Sequence, residues 1–458
     1  MRCGDRESIS YSGYLRLLTS TYIFPTLSFI LGKRRGVVSS FTTAIIGPGA
    51  EGNVMSEPDT SDATTSLLLT VATAAEGVMT DSLKGAIHLG PGQLLGGEGR
   101  RTSTIRYPVL RGPAARPSTV VVKRVGGYQQ RFDMADAAAT QAARRLSNEW
   151  AGLQFLEHTV RAAGQPPLSP RCFGGDHAAG LVVFEDLGDS ECLADLLQGN
   201  DPARAEACLL AYAVTLGRMH AATAGRAQEY QQLRVDLGFG STQPDSNAAD
   251  WLKSVEEFRN GCLTIGLALP AEFASAMQIV TTTLLSPGPF LAFTPQDSCP
   301  DNHRFIDGQV RLFDFEGSTF RHALLDATYC RVPFPSCWCV NRLPEALVPR
   351  FEAAYREELV KGCPDAADDE TFGHAMVVAC VYWTIATISW NFERVLEEDH
   401  RWGIATVRQR HLLRLETLAA ATKQLGYLES LGAFAQQMQA KLATLWPVEA
   451  MPLYPAFR

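Results

Sequence analysis

Regular patterning of apolar and polar positions begins near Ser82. Residues 102–110 read as a strand, and the β-branched run Val120-Val121-Val122-Lys123-Arg124-Val125 predicts a second one. Leu146, Trp150, Leu153, Leu156 and Val160 then fall at steps of four, three, three and four, which puts them on one face of a helix. Residues 181–184 form an apolar strand that stops abruptly at Glu185-Asp186-Leu187-Gly188. Beyond that point helical spacing dominates. Leu209, Tyr212, Leu216 and Met219 share one face of a helix over 205–221, and residues 345–360, 371–398 and 405–445 carry the same periodicity. One β-rich insert, residues 290–315, interrupts them. The layout is α+β, a smaller strand-rich half followed by a larger helical half, with no internal repeat.

The first eighty or so residues follow neither pattern. Residues 14–31 are rich in Leu, Ile, Phe and Tyr, but Arg16 and Pro25 interrupt them and Lys33-Arg34-Arg35 follows. A membrane-spanning helix needs about 20 mostly apolar residues, and a signal peptide carries its basic cluster before the apolar run. The segment therefore reads as a loosely ordered extension. Residues 56–66 are polar and read as linker, with Met55 the expected true start of the chain.

Composition narrows the class. The chain has 458 residues, 46% hydrophobic and 20% charged, which excludes wholesale disorder, a collagen and a coiled coil. That length suits two or three domains or one two-lobed unit. A net charge of −8 argues against nucleic acid as the main partner. Eleven cysteines are scattered, and the close pair Cys337-Trp338-Cys339 lacks a second pair at metal-ligand spacing. They read as small buried apolar residues in a reducing, cytoplasmic setting.

The insert carries the chemistry. Asp307-Gly308 is a two-residue hairpin turn, since glycine tolerates the positive φ such turns require. The hairpin returns Asp314 towards the loop of residues 297–302, which gathers Asp297, Asn302 and Asp314 in one region. One carboxylate can orient and deprotonate a hydroxyl, while an amide oxygen and a second carboxylate hold Mg²⁺ against phosphate oxygens.

This stretch resembles the aminoglycoside phosphotransferase and choline kinase family, which has a protein-kinase-like fold. The family's catalytic loop is Asp, four residues, then Asn, with a metal-binding Asp after a short hairpin; Asp297, Asn302 and Asp314 match it. The resemblance implies Asp297 as catalytic base and Asn302 and Asp314 as Mg²⁺ ligands. It also implies that Lys123 contacts the α/β-phosphates of ATP and that Glu149 pairs with Lys123. Phe184-Glu185-Asp186-Leu187-Gly188 resembles the segment between lobes whose backbone binds adenine, with Glu185 and Leu187 in it. The cluster holding Gly96, Gly97 and Gly99 resembles an irregular phosphate-covering loop. Leu216-Gly217-Arg218-Met219-His220 is similar to the family's helix ahead of the catalytic loop. Where the family usually has His-Gly before the catalytic Asp, this chain has Pro295-Gln296, which removes a histidine that normally supports the loop.

The implied molecule has an extension over residues 1–83, a nucleotide-binding lobe over 84–186 and a helical lobe over 187–458. It transfers the γ-phosphoryl group of ATP to a hydroxyl of a small molecule such as an aminoglycoside, an amino alcohol or a sugar, with no nucleic acid or membrane partner. A pseudokinase on the same fold is the alternative. A protein kinase fits less well, because no Asp-Phe-Gly followed by Ala-Pro-Glu occurs. His220 reads as a helix–helix contact and His303 as an exposed loop residue. The acidic run Glu393, Glu397, Glu398 and Asp399 reads as a solvated face, and Trp383, Trp390 and Trp402 as core or rim packing.

Overall fold

The computed structural model describes residues 60–95, 102–125, 137–240 and 247–458. The chain runs α1 (Thr60–Leu83), β1 (His88–Leu89), β2 (Gln93–Leu95), β3 (Thr102–Arg111), β4 (Thr119–Val125) and α2 (Ala137–Ala162). Next come β5 (Cys172–Asp176) and β6 (Leu181–Glu185). Among the described residues these strands make one antiparallel sheet ordered β1-β3-β4-β6-β5, with β2 also on β3.

Both faces of this sheet are covered, and the period-two alternation of β4 assigns each side chain to a face. Val120 and Val122 join Ile105, Tyr107, Leu181 and Val183 in a core closed by Val71, Ala75 and Met79 of α1. Val121 and Val125 point the other way, with Val182 and Phe184, onto Trp150, Leu153 and Leu156 of α2. Lys123 has the parity of Val121 and so faces α2.

Helix α1 occupies a stretch whose sequence suggests extension and linker. Its buried positions Val71, Ala75 and Met79 are spaced by four, so they do form a stripe. The stripe is small and diluted by Thr, Ser and Ala, and only the exposed face of the sheet gives it something to bury against. The Tyr107 hydroxyl donates to the Leu68 carbonyl at 2.8 Å and pins the helix there. The apolar run and basic cluster of the N-terminal extension lie outside the described residues.

The helical lobe follows with α3 (Leu193–Gln198), α4 (Pro202–Thr223), α5 (Ala227–Asp236), α6 (Asn247–Thr264) and α7 (Phe273–Leu285). The insert comprises β7 (Leu291–Thr294), β8 (His303–Ile306), β9 (Gln309–Leu312) and β10 (Thr319–His322). Strands β8 and β9 form the expected hairpin, with Asp307 at φ 50° and Gly308 at φ 77° in its turn. Strand β10 returns to pair with β7, which brackets the candidate site from both sides.

Then come α8 (Leu324–Ala327), α9 (Leu347–Leu359), α10 (Asp369–Ser389), α11 (Phe392–Glu397), β11 (Arg401–Trp402), β12 (Ala405–Thr406), α12 (Val407–Leu425) and α13 (Glu429–Leu445). Two segments that read as single helices are each broken. The chain turns after Ser389 at Trp390, and Gly426 ends α12 in the left-handed region at φ 64°. Helix α10 is the one described helix long and apolar enough to cross a bilayer, and 78% of its most apolar window is buried inside the fold. The result is an antiparallel sheet covered by α1 and α2 and followed by a larger helical region, the α+β layout that the sequence suggests.

Candidate active site

The lobes meet at a buried ion cluster. The Lys123 ammonium donates to Glu149 of α2 at 3.0 Å and to Asp314, and lies 3.2 Å from Glu316. Arg145 adds a weaker contact to Glu316 at 3.4 Å. Burial opposes the charge on Lys123, but Asp314, Glu149 and Glu316 together hold its pKa well above the usual lysine value. Burial pushes Glu149 up to about 7 despite its lysine partner. With Glu149 near 7, the three carboxylates carry between two and three negative charges against the two of Lys123 and Arg145, an excess that a cation can offset.

Helix α2 is fastened to the carboxylate-bearing segment. The Asn148 amide donates to the Glu316 carbonyl at 3.0 Å, and Ser318 donates to the Asn148 carbonyl at 3.2 Å. Gly152 lets the two approach, since a Cβ there would meet the Ser318 Oγ at 2.9 Å. Asp314 itself sits at φ 69°, a left-handed conformation that costs a non-glycine residue energy and is held by its surroundings.

Strand β7 leads into the loop of Asp297. The half-buried Asp297 carboxylate accepts from the Ser336 hydroxyl at 2.7 Å, and desolvation raises its pKa to about 7 although that bond works downward. Ser336 commits its proton to Asp297, so the Tyr329 hydroxyl, 2.8 Å away, donates to Ser336. The Asn302 amide nitrogen donates to the Asp297 carbonyl at 3.0 Å, which leaves Oδ1 as that side chain's acceptor. The Phe313 N–H donates to the Asn302 carbonyl at 3.0 Å, which seats Asp314 beside Asn302.

Three further side chains brace the loop. From α4, the Tyr212 hydroxyl donates to the Ser298 carbonyl at 2.6 Å. His303 is fully buried, stacked on Tyr212 at 5.0 Å and accepting from the Leu193 N–H at 3.2 Å, contrary to its reading as an exposed loop residue. Its side chain points inward because α3 and α4 pack beneath β8, a contact no local pattern encodes.

Arg321 of β10 is the third brace, and the sequence reading misses it. Its guanidinium donates to the Gln296 carbonyl at 3.1 Å, to Thr294 Oγ1 at 2.9 Å and to Asp326 at 2.6 Å. Asp326 also faces His220 Nε2 at 3.5 Å, and His220 bonds the Tyr355 hydroxyl at 2.8 Å, a helix–helix contact as expected. Burial works against ionisation of Asp326, but Arg321 outweighs it and keeps the carboxyl below its usual range. A fixed cation thus holds the carbonyl just before Asp297, where the sequence lacks the histidine. The available signal was an arginine in a short strand five positions before Asp326.

The segment between lobes is clamped, though not at the ion cluster. Glu185 ends β6, accepts twice from Arg311 at 3.0 Å and once from the Arg171 N–H at 3.1 Å. Asp186 pairs with Arg106 of β3 at 2.7 Å, and Leu187 is half-buried beside it. Gly96, Gly97 and Gly99 lie outside the described residues. Glu393, Glu397 and Glu398 are exposed and Trp383 packs in the core, donating to the Leu325 carbonyl at 2.7 Å. Trp390 is 53% exposed.

No family model matches the chain, and no curated protein does. Solved structures do. A choline/ethanolamine kinase family protein from Mesorhizobium loti is similar at 14% identity and TM-score 0.41, over 82% of this chain and 100% of that one. An aminoglycoside phosphotransferase so described from Ralstonia eutropha is similar at 15% identity and TM-score 0.40, over 80% and 98%. Choline kinase from Cryptosporidium parvum follows at 12% identity and TM-score 0.39, over 78% and 92%. Similarity at this level says nothing of the chemistry, which rests on the site's own geometry.

Proposed function

We propose that the chain is a small-molecule kinase that transfers the γ-phosphoryl group of ATP to a hydroxyl. The observation that carries this reading is the junction of two groups: a buried Lys123–Glu149 pair reaching Asp314, and a desolvated Asp297 joined to it through the Asn302 and Phe313 hydrogen bonds. In the division proposed, residues 84–186 with α1 added form the nucleotide lobe, and residues 187–458 supply Asp297 and the acceptor pocket.

Asp297 has the properties of a general base. A carboxylate near pKa 7 is ionised enough at neutral pH to accept a proton and basic enough to hold it. It takes the acceptor's hydroxyl proton as that oxygen bonds the γ-phosphorus; the bond to the bridging oxygen breaks and ADP departs with the electron pair. Asp297 then releases its proton to solvent. Lys123, kept charged by its carboxylates, orients and neutralises phosphate oxygens, and Glu149 keeps the ammonium in place.

The oxygen donors Asn302 Oδ1 and the Asp314 carboxylate fit Mg²⁺, which prefers hard oxygen ligands. They would hold it, and when bound it neutralises charge on the transferring phosphates. The excess negative charge of the Lys123 cluster supports the same assignment.

A thermal-shift titration with ATP, with and without Mg²⁺, on wild type and Asp314→Ala tests the nucleotide site. Ligand at 100 times its dissociation constant stabilises by about 2.7 kcal/mol, and that gain should need Mg²⁺ and vanish in the variant. Absence of any shift refutes the nucleotide reading. Acceptor-dependent ADP release over a panel of amino alcohols, aminoglycosides and sugars then tests catalysis. Mg²⁺-dependent binding with no release for any acceptor favours the pseudokinase alternative.

A further inference from the structure

Four potential ligands that are dispersed in sequence converge behind the Asp297 loop. The ligand atoms of Cys299, Asp301 and Cys337 all lie within 4.8 Å of one another. Cys339 lies outside that group, its Sγ 3.1 Å from that of Cys337, and would move inward to serve as a fourth ligand. All three thiols are buried. One Asp301 oxygen accepts from the Trp338 indole at 2.9 Å, while the other, Oδ1, is buried with no hydrogen-bond partner. A buried carboxylate oxygen left unpaired is costly unless something cationic meets it.

A second observation is independent of the first. Arg410 and Arg414 are both buried, and Arg410 lies against this cluster. Arg410 donates to the carbonyls of Cys337, Trp338 and Trp402 at 2.6, 2.7 and 2.5 Å, and Arg414 to that of Pro335 at 2.9 Å. Carbonyls pair with the terminal nitrogens but bring no charge, the Arg410 Nε is buried without a partner, and neither arginine forms an ion pair with a carboxylate among the described residues. Arg410 thus places a buried guanidinium against the cluster, a charge that an anionic metal–thiolate site would balance.

We propose that Cys299, Asp301, Cys337 and Cys339 bind one thiophilic divalent ion of the zinc class. Three sulfurs and one carboxylate make a four-coordinate donor set suited to zinc and unsuited to Mg²⁺. Binding takes M²⁺ and three thiols to the tris-thiolate complex with release of three protons. A tetrahedral site with metal–sulfur bonds of about 2.3 Å needs sulfurs about 3.8 Å apart, so the Cys337–Cys339 pair opens slightly as the ion enters. The ion ties the loop of Asp297 and Asn302 to the segment of Ser336, the residue that bonds Asp297. Its role is structural, and it stands whether or not the chain is a kinase.

The full-length chain, purified with reductant and without added metal, should carry about one equivalent of zinc by elemental analysis. Replacement by Co²⁺ should give thiolate-to-cobalt charge-transfer absorption and the intense visible bands of a tetrahedral site. Chelation should lower the Tm, and zinc but not Mg²⁺ should restore it. Cys339→Ser should lose the ion, whereas Cys380→Ser, buried elsewhere, should keep it. Because Cys339→Ser can also misfold, Asp301→Asn serves as the near-isosteric variant: folded, with its three thiols, and at least about tenfold weaker in zinc retention. Wild type with no zinc bound or taken up and three titratable thiols overturns the proposal in favour of apolar packing. A mass two protons short, mapped to a disulfide within the cluster, overturns it in favour of a redox pair.

Discussion

Replacing Ser336 with alanine isolates the electrostatics of Asp297 without touching the carboxylate. The Ser336 hydroxyl donates to Asp297 at 2.7 Å, and this bond favours the ionised form against a desolvation that has already raised the pKa to about 7. A hydrogen bond to a charged group is worth about 1.5–3 kcal/mol, and about 1.36 kcal/mol corresponds to one pH unit. Ser336→Ala should therefore move the acid limb of the kcat/KM profile upward by about one to two pH units. At pH 7 the ionised fraction falls from about a half to between about a tenth and a hundredth, a roughly five- to fifty-fold loss of rate. The loss should disappear at alkaline pH, where both enzymes are fully ionised. The assay is acceptor-dependent ADP release at subsaturating acceptor across the pH range, with Tyr329→Phe, which keeps the serine bond, as control. An acid limb unmoved in Ser336→Ala, or a loss constant at every pH, would refute Asp297 as a base tuned by this hydroxyl.

Asp297→Asn should cost about 10²–10⁴ in kcat while leaving ATP-dependent thermal stabilisation intact. The same variant should be more stable than wild type at pH 8. A carboxyl whose folded pKa is raised from 3.8 to about 7 favours the fold below the unfolded value and loses that contribution as pH rises through 7. Partial solvent contact leaves the gain at about 1–2 kcal/mol, and no gain should appear at pH 4, measurable as ΔTm. Arg321→Lys keeps a charge beside Asp326 but loses the fork that reaches Gln296 and Thr294; kcat should fall about tenfold or more with nucleotide affinity unchanged. If Kd for ATP rises in step with the loss of kcat, Arg321 is not a positioning residue for the loop. Met79→Ala should destabilise the chain by about 2–5 kcal/mol in urea unfolding, because Met79 is fully buried between α1 and the sheet. A change below about 0.5 kcal/mol would mean that α1 is not part of the folded unit.

What the chain declares locally is the main strands and helices and the Asp307-Gly308 hairpin, because periodicity and turn chemistry act between residues a few positions apart. The set Lys123, Glu149, Asp297, Asn302 and Asp314 is spread over β4, α2 and the insert, and stands out in the sequence through the family resemblance. The breaks after Ser389 and at Gly426 are less visible, since the apolar spacing continues across them while the backbone turns. Other features exist only in three dimensions. Helix α1 is too rich in small and polar residues to announce itself until the sheet offers a face to cover. His303 turns inward because α4 brings Tyr212 beneath it. Arg321, Ser336 and the meeting of Cys299 with Cys337 depend on chain segments 25 to 39 residues apart arriving at the same loop. A side chain's charge and shape are written at its own position, but its partners are chosen by packing, and hydrogen bonding, desolvation and coordination act only between atoms that packing has brought within a few ångströms.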